Sequence, residues 1–408
     1  MTNQAQSPIL IGEYIDTYLP AVDGVIITVQ NYARWLSQSA NSCYIATAAA
    51  PRGYEDTEPY PIIRYRSSPI SRRPPYRYGL PLLDMKFLYN EHDLSPDLVH
   101  AHTPFMAGTE ARRIARLRRI PLVASFHSKY YDDILESTGS KMLAEKAVQL
   151  IAHFYNHADY VWTVNAATAR TLCDYGYRKT PEIMPNGTDF IYPADPDAAR
   201  QAVNIRFGLL PDEPVILFVG QHIVQKNLPL LIEAAARYKQ QGGRFKLLMV
   251  GAGKARDDLE KQARAQGLGD DAIFAGVIHD RNILSAIYLR ADLFALPSVY
   301  DNAPLVIREA AAAGCPAVLI AGSNAAEDLR NEVNAYLCEN DAGSLCQAFQ
   351  RAFRDTGERR AVGRQARQIL GRPWSDVIQE VAARYQDIIC DYSARMGPID
   401  KWRLYTQG

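Results

Sequence analysis

The chain has 408 residues, 48% of them hydrophobic and 22% charged, and its 45 basic and 45 acidic side chains leave no formal net charge. This length suggests two or three globular domains, and the balanced charge argues against a nucleic-acid-binding protein. The six cysteines are scattered without C-x-x-C spacing, which argues against a disulfide framework or a zinc site and suits a reducing compartment.

Short apolar strands alternate with longer helical patterns along almost the whole chain. Strands are predicted in two series, at 9–11, 43–48, 97–102, 121–127 and 160–164, and then at 214–220, 245–250, 272–276, 292–296 and 316–321. Because these runs are continuously apolar, they are typical of parallel strands that helices cover on both faces. The predicted fold class is therefore α/β, with two doubly wound, Rossmann-like domains facing each other across a cleft at the carboxyl ends of their strands.

The pattern predicts an N-terminal domain over 1–195, a C-terminal domain over 196–374, and a final segment, 375–408, whose helix packs back on the first domain. That helix has apolar residues at helical spacing and needs a surface that covers them. The stretch 190–213 is rich in Pro and Asp and is the predicted linker. Its Asp-Pro-Asp at 195–197 follows no strand, so we interpret it as a solvated turn rather than a metal-binding D-x-D motif.

Three residues follow or end predicted strands of the first domain. Gly24 lies before an amphipathic helix, where glycine permits either a simple turn or the close approach of the backbone to a ligand. His102 and His127 each end an apolar strand, where a ligand-binding cleft is expected. A lone histidine is more often a satisfied core or surface group, and the functional interpretation is favoured more for His127 than for His102.

Lys226 and Asn227 lie at the predicted start of an apolar helix in the second domain. A lysine is electrostatically disfavoured beside a helix N-terminus, so its position there needs a reason. An ammonium group together with backbone amides would bind a diphosphate well, whereas a solvated surface lysine is the alternative. Further along, Gly251 and Gly253 form a G-x-G without the third glycine of a dinucleotide-binding motif, which disfavours an oxidoreductase.

A helix is predicted in the stretch PSVYDNAPLVIREAAAAG, residues 297–314. It would begin near Pro304 and stop at Gly314, because proline favours the first helical position and glycine the residue after the end. Asn302 or Ala303 would be the capping residue.

Two carboxylates in this stretch have different explanations. Asp301 lies on the loop before the helix, where acids are favoured, so capping accounts for part of its placement. Glu309 lies in the second turn of an otherwise apolar helix, where capping explains nothing. A local ion pair, for example with Arg308, is one interpretation, and a carboxylate that binds a polyol is the other and fits better.

Taken in order, these motifs resemble the retaining glycosyltransferases of family four, which have the GT-B fold. The strongest block lies within 215–337, where VILFVG, QKN, LLMVGAG, ADLFALPS, Asp301-x₇-Glu309 and GSNAAEDL follow one another. The segments PDLVHAHTPF and SFHSKYYDD resemble the branch that contains bacterial diacylglycerol glucosyltransferases.

The resemblance implies transfer of a hexose, glucose in this branch, from a nucleotide diphosphate sugar such as UDP-glucose to a hydroxyl acceptor, with retention at the anomeric carbon. Diacylglycerol or another lipid is the implied acceptor. The nucleotide sugar would be a co-substrate, and neither a metal nor another cofactor is expected. A soluble or polysaccharide acceptor, or a non-catalytic nucleotide-sugar-binding protein, are the alternatives.

The resemblance also assigns roles to individual residues. Glu309 would bind the ribose hydroxyls, Asp301 would face the hexose, and Lys226 would contact the diphosphate. His127 would lie near the reacting sugar and complete the catalytic set. The implied donor-binding residues are Gly24, Gln221, Gly251, Gly253, Asn302, Ala303, Pro304, Leu305 and Glu309, and the implied acceptor-side residues are His102 and Tyr130.

Three residues depart from the family pattern. Asp301 replaces the usual glutamate and shortens the reach by one methylene. Gln221 stands where an arginine is usual, which removes a cation beside the diphosphate. Pro304 occupies a usual glycine position, so one backbone donor is missing. We expect an altered donor geometry from these changes.

Residues 61–120 contain 11 Lys/Arg and five Asp/Glu, an excess of six positive charges. Such a segment would bind an anionic lipid surface, each basic residue contributing about 1 kcal/mol, or would be a solvated basic face. The arginines named for the lipid interpretation are Arg72, Arg73, Arg77, Arg112, Arg113 and Arg116. Because no secretory signal and no apolar run of about 20 residues is present, we expect a cytoplasmic protein, peripheral at the inner face of the membrane.

Overall fold

The computed structural model describes residues 8–70 and 76–395. The chain divides into two compact units. Unit 1 comprises the residues up to Pro185 together with those from Trp374 onward, and unit 2 comprises Asn186–Pro373. Each unit has its own parallel sheet and its own hydrophobic core, so the prediction of two doubly wound α/β domains is confirmed.

The strands of unit 1 form a parallel sheet in the order β3-β2-β1-β6-β7-β8-β9, beside a separate antiparallel hairpin, β4-β5. Its strands are β1 (Leu10–Ile15), β2 (Ser42–Ala48), β3 (Ile62–Tyr65), β4 (Ser67–Pro69), β5 (Arg77–Gly79), β6 (Leu98–Ala101), β7 (Leu122–Phe126), β8 (Tyr160–Thr163) and β9 (Glu182–Ile183). Its helices are α1 (Gly24–Gln38), α2 (Met85–Asp93), α3 (Met106–Arg118), α4 (Tyr130–Thr138), α5 (Lys141–Asn156), α6 (Ala166–Asp174) and α14 (Trp374–Arg395).

The sheet of unit 2 has the order β12-β11-β10-β13-β14-β15. Its strands are β10 (Val215–Val219), β11 (Lys246–Val250), β12 (Ala272–Gly276), β13 (Leu293–Leu296), β14 (Ala317–Ile320) and β15 (Tyr336–Cys338). Its helices are α7 (Pro196–Phe207), α8 (Leu228–Gln240), α9 (Arg256–Ala265), α10 (Arg281–Arg290), α11 (Leu305–Ala312), α12 (Ala342–Arg354) and α13 (Thr356–Leu370).

All ten predicted strands are confirmed to within a few residues at their ends. Strand β10, for example, is buried along its whole length, as a central parallel strand covered on both faces must be. The strands that sequence reasoning missed are β3, β4, β5, β9 and β15, which are two to four residues long. These strands lie at the edges of the two sheets or in the hairpin, where the continuous apolar run of a central strand is not required.

Residues 190–213 are not a linker. They contain helix α7, whose N-cap Asp195 accepts hydrogen bonds from the amides of Asp197 and Ala198, with Pro196 at the first helical position. The Asp-Pro-Asp motif is therefore a helix start and not the solvated turn that was predicted.

The units divide after residues 185 and 373. The boundaries predicted from the sequence, after residues 195 and 374, lie further along the chain in both cases. Residues 186–195 lie in unit 2, where the amide of Thr188 donates to the carbonyl of Arg372 and the amide of Ile191 donates to Ser285 Oγ.

Helix α14 belongs to unit 1. Its apolar stripe is buried and places Trp374 against Tyr32 of α1 and Tyr385 against Trp162 of β8. The aromatic rings of Tyr385 and Trp162 are stacked, with centroids 5.2 Å apart. Because α14 brings Tyr385 into the interior, the helix also completes a buried polar network described below.

Within the residues that the structure describes, none of the helices has the length and apolar composition that crossing a membrane requires.

Candidate active site

The strand order of unit 2 reverses between β10 and β13, which lie side by side although β11 and β12 intervene in the chain. In open α/β sheets, ligands bind at such a switch point, outside the carboxyl ends of the strands. The loop after β10 carries Gln221 and Lys226, and the loop after β13 carries Asp301 and Asn302. The topology therefore brings residues 75 positions apart, Lys226 and Asp301, to one place.

Lys226 and Asp301 form an ion pair, with 2.5 Å between Lys226 Nζ and Asp301 Oδ1. Both side chains are largely buried, at 17% and 14% exposure. The other carboxylate oxygen, Asp301 Oδ2, is buried and has no hydrogen-bond partner among the described residues. Leaving a buried acceptor unsatisfied costs free energy, so this oxygen is suited to a ligand that donates a hydrogen bond.

The two loops are also joined by polar contacts that fix the position of the pair. Ser298 Oγ donates to the carbonyl of Gln225, and Asn227 Nδ2 donates to the carbonyl of Pro297. Asn227 has a positive φ of 54°, which asparagine tolerates better than most residues, and it occupies the N-cap position of α8 without a capping hydrogen bond from its side chain. The predicted placement of Lys226 beside a helix start is therefore confirmed, and the carboxylate of Asp301 balances its charge.

Glu309 lies in α11, buried, and contacts Arg281 at the start of α10. Arg281 Nη2 lies 2.6 Å from Glu309 Oε1 and 2.5 Å from Asp189 Oδ1, so one guanidinium joins two carboxylates. Burial raises the pKa of Glu309, while the charge of Arg281 opposes that rise. The carboxylates of Asp189 and Glu309 lie on either side of the guanidinium and keep it protonated. The charged hydrogen bond from Arg281 in turn fixes the orientation of the Glu309 carboxylate.

The expected capping residue of α11 is wrong. The N-cap is Pro304 itself, and not Asn302 or Ala303, because Pro304 has an extended ψ of 130° and the helix begins at Leu305. Glu309 does form an ion pair, but with Arg281, which is 28 positions earlier in the chain, and not with Arg308, whose Nη1 lies 3.4 Å from the carbonyl of Leu370. Binding of a polyol by Glu309 stays a prediction. The predicted stop at Gly314, which has a φ of 75°, is confirmed.

Gly251 and Gly253 have a structural reason to be glycine. A Cβ on Gly251 would lie 1.9 Å from the carbonyl oxygen of Gly220, and one on Gly253 would lie 2.2 Å from that of His222. The loops after β10 and β11 therefore pack backbone against backbone. Donor binding by Gly251, Gly253 and the exposed Gln221 stays a prediction.

The sheet of unit 1 has its own switch point, between β1 and β6. There His102 follows β6, His127 follows β7, and the two rings stack with centroids 5.5 Å apart. His102 Nδ1 lies 3.2 Å from His127 Nε2, and His102 Nε2 lies 2.7 Å from Oε2 of Glu13 on β1. The two histidines singled out by sequence are thus neighbours, joined to a carboxyl that sequence reasoning missed.

Glu13, His100 and His102 are all fully buried. Burial raises the pKa of Glu13 to about 8, against a hydrogen bond from Tyr385 that lowers it. Burial lowers the pKa of His102 to about 3, and burial together with His102 lowers the pKa of His127 to about 3. At neutral pH these pKa values leave both rings neutral and the Glu13 carboxyl protonated.

Ligand atoms of Glu13, His100 and His102 lie within 4.8 Å of one another. His100 Nδ1 lies 2.6 Å from the Tyr385 hydroxyl and His100 Nε2 lies 2.7 Å from Ser125 Oγ. His102 Nε2 contacts Glu13, and His102 Nδ1 contacts His127. Because each ring nitrogen has a protein partner, we describe this group as a hydrogen-bonded network. That the reaction needs no metal stays a prediction.

The two remaining unit 1 residues differ in accessibility. Gly24 is exposed at the start of α1, and a Cβ there would meet nothing within 4 Å, so its backbone is open to a ligand. Tyr130 is buried among aromatic rings, 5.5 Å from Phe105 and 5.8 Å from Phe126. An acceptor role for Tyr130 stays a prediction, and its ring already has a packing role.

Glu13, Arg281 and Asp189 were missed by sequence reasoning for a common reason. Each is a single charged residue without a repeated spacing, and its partner lies on another element. The available signal was the placement of Glu13 in the otherwise apolar stretch ILIGEYI, where an unpaired acid would be costly.

The arginines named for a lipid surface have different environments. Arg72 and Arg73 lie outside the described residues. Arg113 forms ion pairs with the buried acids Glu91 and Glu110, at 2.8 and 2.5 Å, so its main contacts are internal. Arg116 is exposed at the end of α3, while Arg77 bonds Ser67 in the hairpin.

The two Rossmann-like units, each with polar side chains gathered at its switch point, define a protein of the GT-B class. Two family models match the chain, "Glycosyltransferase Family 4" over residues 22–190 and "Glycosyl transferases group 1" over residues 202–369. The chain therefore belongs to the glycosyltransferases that these models describe, and the resemblance to family four is confirmed.

Individual relatives agree with this assignment. The alpha-monoglucosyldiacylglycerol synthase of Streptococcus pneumoniae is 25% identical over 319 residues, covering 76% of this chain and 70% of the relative. The solved sucrose-phosphate synthase of Thermosynechococcus elongatus superimposes with a TM-score of 0.77 at 22% identity, covering 94% of this chain and 100% of its own. The Anabaena protein HepE, solved with UDP-glucose, gives a TM-score of 0.72 at 18% identity, with 93% and 100% coverage. At these identities the solved structures support the fold alone.

Proposed function

We propose that this glycosyltransferase moves a hexose, glucose first among them, from a nucleotide diphosphate sugar such as UDP-glucose to a lipid hydroxyl, with retention at the anomeric carbon. The observation that carries the proposal is the Lys226–Asp301 pair at the switch point of unit 2. It combines a cation suited to a diphosphate with a buried carboxylate oxygen, Asp301 Oδ2, that has no partner among the described residues.

Lys226 supplies the electrostatic part of the reaction. Negative charge grows on the departing diphosphate in the transition state, and a fixed ammonium group stabilises that charge. The helix α11 adds backbone amides at its N-terminus, one fewer than usual because Pro304 has no N–H. Asp301 holds the ammonium group in place, and its Oδ2 accepts a hydrogen bond from a hydroxyl of the hexose.

Glu309 binds the two hydroxyls of the ribose. Its carboxylate is held by Arg281, and Arg281 is held in turn by Asp189. This arrangement makes Arg281 a positioning residue, because it fixes the carboxylate before the donor arrives. Contact of Gly24 with the diphosphate and of His127 with the reacting sugar stays a prediction from the sequence.

The lipid acceptor is supported by an exposed apolar group in unit 1. The short 3₁₀ turn Pro81–Leu83 and helix α2 expose Leu82, Leu83, Met85 and Tyr89, at 56, 75, 77 and 67%. These side chains, which we call the α2 apolar surface, lie in the segment with the excess of basic residues. A peripheral membrane contact combines both features, and the similarity to a glucosyldiacylglycerol synthase favours diacylglycerol.

The test is incubation of the whole protein with UDP-, GDP- and ADP-hexoses and a lipid extract, followed by mass spectrometry of the products. We expect a hexosyl lipid from a UDP-sugar, and loss of product with Glu309→Ala. Full activity of Glu309→Ala would contradict the assignment of the donor site.

Two alternatives have distinct outcomes in the same experiment. A soluble or polysaccharide acceptor would be indicated by sugar transfer to the aqueous fraction alone. A non-catalytic binding protein would bind a nucleotide sugar, measured by calorimetry, and give neither transfer nor slow hydrolysis.

A further inference from the structure

Glu13, His102 and His127 form a continuous chain of hydrogen-bonding atoms in unit 1. Glu13 Oε2 lies 2.7 Å from His102 Nε2, and His102 Nδ1 lies 3.2 Å from His127 Nε2. Each contact has one hydrogen between two heavy atoms. A neutral imidazole has one N–H and one lone pair, so the donor chosen at one end of the chain dictates the donor at the other.

Two arrangements satisfy both of these contacts. When the Glu13–His102 pair holds a proton beyond that of the neutral ring, His102 Nδ1–H donates to His127 Nε2, and His127 carries its own hydrogen on Nδ1. When that proton leaves, the His102 hydrogen sits on Nε2 and donates to the Glu13 carboxylate. His102 Nδ1 then accepts from His127 Nε2–H, and His127 Nδ1 becomes a lone pair.

We propose that Glu13, acting through His102, sets which ring nitrogen of His127 carries the proton, and so determines whether His127 Nδ1 donates or accepts. Glu13 is thus a positioning residue for His127. The relay itself is independent of the substrate, whereas its use in sugar transfer rests on the proposed function.

The side chains that face Glu13 come from four elements. His100 and His102 lie on and after β6, Tyr385 on α14 lies 3.3 Å from Glu13 Oε1, and Tyr32 on α1 and Cys43 on β2 are its other titratable neighbours. Glu13 has no ion pair with a lysine or arginine in the part of the chain that the structure describes.

These surroundings favour the proton-holding arrangement at neutral pH. Burial without a cationic partner raises the pKa of Glu13 to about 8. Below that value His127 Nδ1 carries a hydrogen, which suits donation to a sugar or acceptor oxygen and not proton abstraction. Above it, Nδ1 becomes an acceptor and this donor is lost.

The experiment is nitrogen NMR of the full chain labelled with ¹⁵N-histidine, from about pH 6 to about pH 10, where protonated and lone-pair ring nitrogens are distinct. His102→Gln and His127→Asn identify the two signals. We expect the nitrogens of His102 and His127 to exchange protonated and lone-pair character together, with one midpoint near the pKa of Glu13, about 8.

Glu13→Gln abolishes that shared midpoint, because an amide does not titrate, and Glu13→Asp retains one that is displaced. The matched control is Glu91→Gln. Glu91 is also a buried acid of unit 1 with a pKa raised to about 8, but it contacts Tyr14 and Arg113. We expect the control to keep the wild-type midpoint.

The inference is overturned if the wild-type tautomers do not change over this range, or if Glu13→Gln titrates like the wild type. It is also overturned if the ring signals show a bound cation that a chelator removes. None of these readouts requires turnover, so an inactive protein would defeat the proposed function and leave this inference standing. For an active protein, kcat/KM falls above about pH 8 in the wild type, and Glu13→Gln lacks that transition.

Discussion

Lys226 and Lys246 are similar side chains in different places. Both belong to unit 2, both are largely buried, at 17 and 18% exposure, and both form an ion pair with an aspartate. Lys246 begins β11, at the amino end of the sheet, whereas Lys226 follows β10 at the carboxyl end. Only the carboxyl end of such a sheet meets a ligand, so residue type and burial alone do not distinguish function.

Replacing Lys226 by methionine therefore tests the charge. We expect kcat to fall by about 10²-fold, the usual cost of removing one preorganised electrostatic contact. Lys246→Met is the control, with a similar change in thermal stability and less than about a tenfold change in kcat, measured in the same transfer assay. Equal losses in both variants would mean that stability, and not the diphosphate contact, explains the effect.

Glu13 makes stability depend on pH. In the folded protein the Glu13 carboxyl stays protonated up to about pH 8, whereas in the unfolded chain it loses its proton near pH 4.5. Between these values the folded state binds more protons, so the free energy of unfolding falls as pH rises. Glu13→Gln removes this decline, and we expect its stability relative to the wild type to improve from pH 5 to pH 8 by on the order of a few kcal/mol. Urea unfolding measures it.

Exposed Glu145 on α5 provides the comparison, because Glu145→Gln removes a carboxyl of the same type without burial. A pH-independent difference between Glu13→Gln and the wild type would contradict the raised pKa.

At the scale of elements, the loops that follow the strands are of two kinds. Some pack against another loop of the protein, and others face solvent. Gly251 has a φ of 132°, and a Cβ added to it would lie 1.9 Å from the carbonyl oxygen of Gly220. A Cβ added to Gly24 would meet nothing within 4 Å. The same residue type therefore serves backbone packing in one loop and leaves room for a ligand in the other. Sequence alone shows both simply as glycines after strands.

Alanine substitutions separate these roles. Gly251→Ala should destabilise the protein by about 2 kcal/mol or more, since both the backbone and the neighbouring carbonyl must shift. Gly24→Ala should leave the melting temperature within about 1 °C and raise the donor KM several-fold, if the diphosphate approaches this glycine. Calorimetry and donor titration measure the two effects. An unchanged KM for Gly24→Ala would remove Gly24 from the donor site.

The strands were predictable because each central one is a continuous apolar run, but α7 was not. Only Val203 of that helix is buried, so its apolar period is weak and the Pro and Asp content dominated the interpretation. The local signal was nevertheless present, because Asp195 followed by Pro196 is an N-cap followed by a favoured first residue.

At the scale of the whole molecule, the alternation of apolar strands with helical patterns predicted the two doubly wound units, and the order of the motifs along the chain identified the family. Asp301, Glu309 and the two histidines were each accessible from sequence, because they end or follow apolar strands or interrupt an apolar helix, whereas the contact between the two histidines was not predicted. Their partners, Arg281, Asp189 and Glu13, were not, because long-range side-chain contacts depend on strand order, which local patterns do not encode.

Membrane association should depend on the α2 apolar surface. Leu83→Ser with Met85→Ser should lower co-sedimentation with anionic liposomes by about tenfold at low salt, since two apolar side chains no longer enter the lipid. Leu150→Ser on α5 is the control, because Leu150 is 73% exposed, close to the 75% of Leu83. Equal losses in both proteins, or none in either, would place the lipid contact elsewhere.

The central claim is retaining hexosyl transfer, and the anomeric configuration of the product tests it most directly. Wild-type protein is incubated with UDP-glucose and diacylglycerol vesicles, and the glucolipid is examined by proton NMR of its anomeric signal. Because UDP-glucose is an α-glycoside, the account predicts an α-linked product that Lys226→Met makes about 10²-fold more slowly. A β-linked product, or tight donor binding with no transfer to any acceptor, would contradict it.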